Sequence, residues 1–406
     1  MKSPQKQLRP ALYFLGFLLF LALARDILAN GRPLWCSIDG QSYWPGLRTV
    51  WADEHKPYGV RILDSLEETQ QWQRYRYDAA IFAPIPFSPG EYIRNPSVSY
   101  SKPGDRHPGF PPGFRHWLGT DDQGRDVAAA LVAGARVAVF TGALAMIIAL
   151  VIGLFLGAVA GYFGDDRLRL PRGILWLNLP GLLFALAYAY LFRVDAASRH
   201  LAIPWGAELL AIAVILLIFN ALYFLLRWLA YFRQPISVHA DLLIMRMAEV
   251  FNSIPRMILL IVIATLAPKQ SLWVLIAVIG ALSWTGVAKF VRSELLRVRE
   301  LEYVTAARGL GYSEWRILLR HALPNALRPA LIAFSFGVGG AIVLEATLTF
   351  LGFGGNSFKG VSWGSLLLSM KGHEKIWWVG LPAGLIIAFT VIALNTIGEN
   401  LNNARR

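Results

Sequence analysis

The chain of 406 residues has a single cysteine, Cys36. That excludes an internal disulfide, a zinc cluster or an iron–sulfur centre built from its own thiols. Charge is also scarce, at 16% of residues, against about 25% in a soluble chain. Acidic side chains are the scarcer sign, 26 against 39 basic, for a net charge of +13. No Gly-x-x-x-x-Gly-Lys-Ser/Thr phosphate loop occurs, so the chain is not its own ATPase by that device. His373-Glu374 opens like a zinc-protease motif, but Trp377 stands where the second histidine belongs. No nucleophile stands near His321 in sequence. An intramembrane enzyme needs a convergent nucleophile and base, or metal ligands, and no such set is found.

What the chain has instead is apolar length. Hydrophobic residues make up 55% of it, in runs that recur from one end to the other. About 20 apolar residues cross a bilayer core as a helix, so the expected class is an all-α polytopic membrane protein. The basic excess then reads as arginines gathered in cytoplasmic loops rather than a nucleic-acid surface. Eight candidate spans follow: Ala11–Ala29, Leu131–Phe163, Ile174–Phe192, Ala207–Ala230, Leu242–Ala267, Leu272–Val291, Pro329–Leu351 and Ile376–Gly398. Arg25 and Asp26 interrupt the first, and Ala22-Leu23-Ala24 after Lys2, Lys6 and Arg9 also fits a cleavable signal peptide.

Loop charges orient the spans. The basic N-terminal tail, the loop Asp165–Arg172 with three arginines, the loop Arg292–Arg328 with seven, and the tail ending Arg405-Arg406 all fall on one side. Both termini are therefore expected in the cytoplasm. The expected organisation is an N-terminal helix (1–29), an external segment rich in Pro, Trp and Tyr (30–130), a helical start (131–164), an added helical hairpin (165–239), and a last part (240–406) containing the cytoplasmic loop 292–328.

That loop carries the most information. It reads Glu302-Tyr-Val-Thr-Ala-Ala-Arg-Gly-Leu-Gly311, then Tyr312-Ser-Glu-Trp-Arg-Ile-Leu-Leu-Arg-His321, then Ala322-Leu-Pro-Asn-Ala-Leu-Arg328. Helix formers end at glycines suited to a C-cap. Ser313 can cap a second short helix, on which Trp315, Leu318 and Leu319 recur at helical spacing. Pro324 is expected to break the pattern before the next span. The expectation is a helix, a sharp turn and a helix lying across the cytoplasmic face.

Ala306-Ala307, Gly311 and Leu323-Pro324 resemble the EAA loop of ABC-importer permeases, with Thr305 at the position of the usual glutamate. His116-Trp-Leu-Gly-Thr-Asp-Asp-Gln-Gly-Arg-Asp126 with Gly134-Ala-Arg-Val137, Leu243 through Pro255, and Leu344-Glu-Ala-Thr-Leu-Thr-Phe-Leu-Gly-Phe-Gly354 with Ser362-Trp-Gly364 resemble the oligopeptide/dipeptide-type permeases. Ile27-Leu-Ala-Asn-Gly-Arg-Pro33 and Phe82-Ala-Pro-Ile-Pro-Phe87 are most similar to the Yej-type subclass of microcin C and peptide importers. The resemblance implies a type I ABC importer transmembrane domain in the bacterial inner membrane. It implies a six-helix core, to which residues 165–239 add two spans. It also implies partners: a second related permease, ABC ATPase subunits that hold ATP and Mg, an external substrate-binding protein, and peptide cargo, all in contact with or across membrane lipid. This chain would hold no cofactor or metal and would perform no covalent chemistry.

On that resemblance Ala306, Ala307, Gly311, His321, Leu323 and Pro324 are the expected ATPase-docking positions. Arg246, Glu249 and Glu345 are candidates for a gate or pore, because charges inside a span are expensive and face protein or water. Arg246 and Glu249 can pair on one helical face. Gly153, Gly157 and Gly161 recur every fourth residue, a spacing that lets helices approach closely. The rival reading is an ion-gradient-driven secondary transporter, which calls for paired intramembrane carboxylates and broken helices.

Overall fold

A computed structural model describes residues 4–51, 58–69, 72–91, 98–105, 113–198, 205–266, 271–354, 361–373 and 375–403. In chain order the elements are α1 (Pro4–Leu23), α2 (Arg25–Leu28), β1 (Trp35–Ile38), β2 (Gln41–Tyr43), α3 (Pro45–Trp51), α4 (Arg61–Thr69) and β3 (Ala79–Ile81). Then come α5 (Val127–Ala158), which a wider turn extends to Phe163, β4 (Arg169–Pro171), α6 (Arg172–Ser198), α7 (Trp205–Leu226), α8 (Ala230–Arg233) and β5 (Pro235–Ser237). The last are α9 (Ala240–Ser253), α10 (Arg256–Leu266), α11 (Leu272–Val298), α12 (Glu302–Gly309), α13 (Glu314–Ile317), α14 (Leu323–Phe350), α15 (Trp363–Ser369) and α16 (Trp377–Asn403).

The chain divides into two compact units, residues 1–157 with 248–406, and residues 158–247. In the first, α14 packs on α11, α15 and α16, and α1 lies along α16. Glycines set the closest approaches. A Cβ on Gly153 would meet the Trp284 carbonyl at 2.8 Å, and one on Gly157 the Ala288 carbonyl at 2.6 Å. On α11, a Cβ on Gly280 would meet the Ala145 carbonyl at 2.7 Å. The backbones of α5 and α11 therefore approach closely at these glycines, as small residues in spans allow. Buried Ala11, Leu18 and Ala22 form one face of α1, and the rings of Phe14 and Phe389 meet edge-on at 6.2 Å. Arg25 and Asp26, which interrupt this apolar run, lie where α1 gives way to α2, and Asp26 Oδ2 accepts from Arg136 Nη1 of α5 at 3.0 Å.

Within the first unit, the described residues between Asn30 and Asp126 add a small sheet and short helices. A three-stranded antiparallel sheet runs β2-β1-β3, with Cys36 opposite Tyr43 and Ala80. Asp39 and Gly40 join β1 to β2 with φ of 52° and 73°, the left-handed pair that a two-residue type I′ hairpin requires. Cys36, Ile38, Leu63, Leu66 and Trp72 form its core, and burial pushes the Cys36 thiol up to about 11. Its last part rests on the helical elements near α15 and α16: Tyr100 Oη donates to the Ser369 carbonyl at 3.3 Å, and Trp378 Nε1 to the Thr120 carbonyl at 3.4 Å.

The second unit contains the stretch 165–239, read from the sequence as an added hairpin. Within it α6 packs on α7. Gly181 brings α6 against the Phe219 ring, and Asn220 Nδ2 donates to Asn178 Oδ1 at 2.8 Å, with a weaker return bond at 3.4 Å. A two-stranded ribbon, β4 with β5, closes the base.

Each of the eight apolar segments forms helix, but they differ as spans. Among the described residues five helices are long and apolar enough to cross a membrane: Val127–Phe163, Arg172–Leu191, Leu272–Val298, Glu314–Phe350 and Trp377–Asn403. The expected single span Leu242–Ala267 is instead two helices bent by 76° between Ser253 and Arg256, which makes up to six if each bent pair is one span. Pro255 supplies the reason, since it disfavours helical backbone at the residue before it. Leu8–Leu23 and Leu210–Leu226 are shorter apolar helices. Residue Ala267, the expected end of the fifth segment, lies outside the described residues.

Candidate coupling loop

The loop 292–328 turns after helix α12. The helix α12 buries Val304 and Ala307 on one face and ends in a backbone lock. Gly311 takes φ +79°, its N–H donates to the Arg308 carbonyl at 3.0 Å, and the Tyr312 N–H donates to the Ala307 carbonyl at 3.3 Å. This pair of bonds is a Schellman motif, which wants glycine at the left-handed position. A guanidinium closes the turn from outside: Arg308 Nε donates to Glu314 Oε1 at 2.7 Å and Nη2 to Oε2 at 3.4 Å. The pair spans the turn as a fork on a carboxylate, the strong geometry for such contacts.

Beyond the turn the structure departs from expectation in two ways. Ser313 does precede α13, but its hydroxyl makes no capping hydrogen bond. Pro324 does not break the helix. The wide turn Leu318–Ala322 joins α13 to α14, and Leu323 N–H reaches back to the Leu318 carbonyl. Glu314–Phe350 is therefore one helix, with Pro324 in the first turn of α14 and Pro329, the expected start of the span, inside it. Asn325 Nδ2 donates to the His321 carbonyl at 3.0 Å and to Tyr303 Oη at 2.8 Å. Those bonds tie α12 to the wide turn. At the other end, Arg292–Val298 belongs to α11, so the connection 292–328 is mostly helix.

Of the six expected docking positions, Ala307 is buried, Leu323 half-buried, and Ala306, Gly311, His321 and Pro324 are exposed. The His321 ring stacks with Tyr312 at 6.4 Å. The largest exposed apolar groups around them are Leu310 (77% exposed), Leu319 (59%) and Trp315 (48%). Trp315 and Leu319 are four apart and share an outward face, whereas Leu318 turns inward and is buried. Exposed apolar patches of this kind commonly mark interaction surfaces.

Residues 228–404, which contain this loop and α14–α16, match the family described as the binding-protein-dependent transport system inner membrane component. The chain thus carries a domain of this family over those residues. Similar proteins extend the likeness beyond that segment. An inner membrane ABC transporter permease protein, YejE of Escherichia coli K12, is 26% identical, covering 95% of this chain and 88% of the relative. A peptidoglycan transport system permease protein, YejE of Agrobacterium fabrum C58, is 27% identical over 95% and 86%. The oligopeptide transport system permease protein OppC of Bacillus subtilis 168 is 25% identical over 80% and 79%. The permease is thus a multi-pass inner membrane subunit of an ATP-driven importer, and not an enzyme.

Two further sites of the permease were only half legible in sequence. The His116–Asp126 motif folds into a knot at the start of α5. Asp121 Oδ1 accepts from the N–H groups of Gln123 and Arg125, both at 2.9 Å, and its Oδ2 from Arg125 Nε at 2.6 Å. Asp126 Oδ1 accepts from Ala129 N–H at 2.7 Å, capping the helix, and Oδ2 meets His116 Nδ1 at 2.9 Å. Burial raises Asp121 above the usual carboxylate range, against the opposing pull of Arg125. The second site is Glu345, buried in α14. It accepts from Thr349 Oγ1 at 3.0 Å, and the Ser362 side chain lies beside it. Ser362 also accepts from Ser365 N–H at 3.3 Å as the N-cap of α15. Trp363 then pins α15 to α5, donating to the Leu131 carbonyl at 3.0 Å, and a Cβ on Gly134 would strike its ring. Arg246 and Glu249 both lie exposed on α9.

Proposed function

We propose that this permease forms half of the pore of an importer for peptides or peptide-like solutes, and that its coupling loop docks on a separate ATPase. The observation that carries the reading is the exposed face of Leu310, Trp315 and Leu319, set on a turn locked by Gly311 and continuous with α14. Ala306, Ala307, Gly311, His321, Leu323 and Pro324 shape and present that face. The cargo reading draws on the oligopeptide and peptidoglycan named for two relatives.

In this reading both termini are cytoplasmic, α1, α7 and the bent α9–α10 pair complete eight spans, and residues 30–130 lie outside, where they cap the pore and meet a substrate-binding protein. A second, related permease completes the pore, and ATP with Mg is held by the ATPase subunits. ATP-driven closure of those subunits pushes the α13 end of the long helix and reopens the pore to the outside. Glu345 clamps α15 at the other end of the pore, and Arg246 and Glu249 line the moving surface of α9.

Gentle-detergent purification of the tagged chain, with mass spectrometry and an ATPase assay of what accompanies it, tests the reading. Co-purification of an ATPase, lost on Trp315→Asp, supports it. A chain that purifies alone from several detergents, yet transports on an imposed ion gradient, overturns it.

A further inference from the structure

Four arginines gather at the base of the α6–α7 hairpin. Arg169 lies on β4 opposite Ser237. Arg172 N–H donates to the Gln234 carbonyl at 2.9 Å, next in sequence to Arg233. Arg227 follows the end of α7 directly. Arg169, Arg227 and Arg233 are exposed and Arg172 is half-buried. No acidic residue occurs between Arg167 and Arg193 or between Leu209 and Ala240. Asp165 and Asp166 precede the ribbon and Asp241 follows it, and Asp165 is engaged as acceptor of the Leu242 N–H at 3.0 Å.

Aromatic rings hold this charge in place. The Arg172 guanidinium lies 5.5 Å over the Tyr231 ring and that of Arg227 3.7 Å over Phe224. Trp228, 81% exposed, stands beside them. Tryptophan and tyrosine favour the level of lipid headgroups. Above this base the two helices expose apolar side chains such as Leu179, Leu183, Leu217 and Leu225, and α6 is the least buried of the five long apolar helices. The hairpin is thus an element bathed in lipid, with fixed guanidinium forks where its helices leave the apolar layer. Arginine matches phosphate oxygens in a planar, two-bond geometry.

We propose that the base of the hairpin binds the headgroup of an anionic phospholipid, with Arg169, Arg172, Arg227 and Arg233 as phosphate ligands and Trp228 and Tyr231 as the collar. The proposal rests on the membrane reading and is independent of the cargo and of the ATPase. General attraction of basic loops to an anionic surface explains the arginines, but gives no saturable retention.

The full-length permease, extracted in mild detergent with the subunits that accompany it, serves for the test. Native mass spectrometry counts retained phospholipid, and melting temperature is followed on adding phosphatidylglycerol, phosphatidylcholine or soluble glycerol phosphate. We expect retained phosphatidylglycerol and a saturable rise in melting temperature with that lipid alone. The R169Q/R172Q/R227Q/R233Q variant should lose both, with affinity falling about fivefold per arginine removed. The matching lysine variant should recover part of the effect, and Arg61→Gln in the N-terminal segment should change nothing. An equal response to phosphatidylcholine, or a full response to glycerol phosphate, overturns a lipid site. So does undiminished lipid on the glutamine variant. If that variant fails to fold, the wild-type titration decides alone.

Discussion

Replacing Gly311 with valine separates backbone conformation from packing at the coupling loop. A Cβ added there meets nothing within 4 Å, so no clash arises. The penalty is the left-handed φ of +79°, which costs a residue with a side chain about 1–2 kcal/mol. That is a factor of about 5–30 in the population of the turn. Asparagine tolerates this region better, so the ranking Gly, Asn, Ala, Val follows from conformation alone. If the locked turn presents Leu310, Trp315 and Leu319 to the ATPase, binding-protein-stimulated ATP hydrolysis in proteoliposomes should fall in that order, by at most about 30-fold for valine. Membrane insertion should not change, because the turn lies outside the long apolar helices. Valine with full activity would refute the reasoning. Asparagine as damaging as valine would refute it differently, by making side-chain bulk at the docking face the cause.

Four other outcomes are expected. Cys36, with its thiol pushed up to about 11, holds roughly one thiolate per ten thousand molecules at pH 7; maleimide should label it only after the N-terminal segment unfolds, and native labelling would place it outside the core. Glu345→Ala leaves the buried Thr349 hydroxyl without its acceptor, at about 1–3 kcal/mol, so it should lower melting temperature more than Glu345→Gln; the reverse order would sink that reasoning. Gly157→Val should abolish folded protein, as its Cβ would lie 2.6 Å from the Ala288 carbonyl, whereas Gly286→Ala, with open space around it, should be tolerated on size-exclusion chromatography. Burial raises the Glu91 pKa above its unfolded value, so the stability it contributes is present below the unfolded pKa and lost as pH rises through the folded one; protease resistance of the N-terminal segment should grow on acidification from neutral pH, and Glu91→Gln should flatten that dependence.

The apolar runs were legible because a bilayer demands unbroken length, and each run does form helix. Gly311 was legible too, since few residues other than glycine end a helix in that conformation. Pro324 misled because proline rules describe the chain alone. Here Pro324 stands in the first turn of α14, where its missing N–H costs little, and a wide turn takes up the mismatch. Pro255 was present to be read, yet the run around it is apolar enough to pass for one span. The Arg308–Glu314 fork crosses a turn whose shape had to be known first. Glu345 stood out as a charge inside a span, but its neighbour Ser362 caps another helix, across a connection that carries no periodic signal. The three short strands of the N-terminal segment are too brief for alternation to reveal them.

The unbroken helix from Glu314 to Phe350 has a thermodynamic consequence. Glu314 and Glu345 lie about 47 Å apart at the helical rise. One end carries the face proposed to meet an ATPase, and the other the carboxylate beside the start of α15. A single rod cannot take two angles, so whatever fixes one end biases the other. Linkage makes that bias equal in both directions. If the loop docks as proposed, a ligand that stabilises the packing of α15 beside Glu345 must shift the affinity for ATPase by the same factor that ATPase docking shifts the affinity for that ligand. Signalling of cargo inward and of nucleotide outward is then one free energy measured from opposite ends.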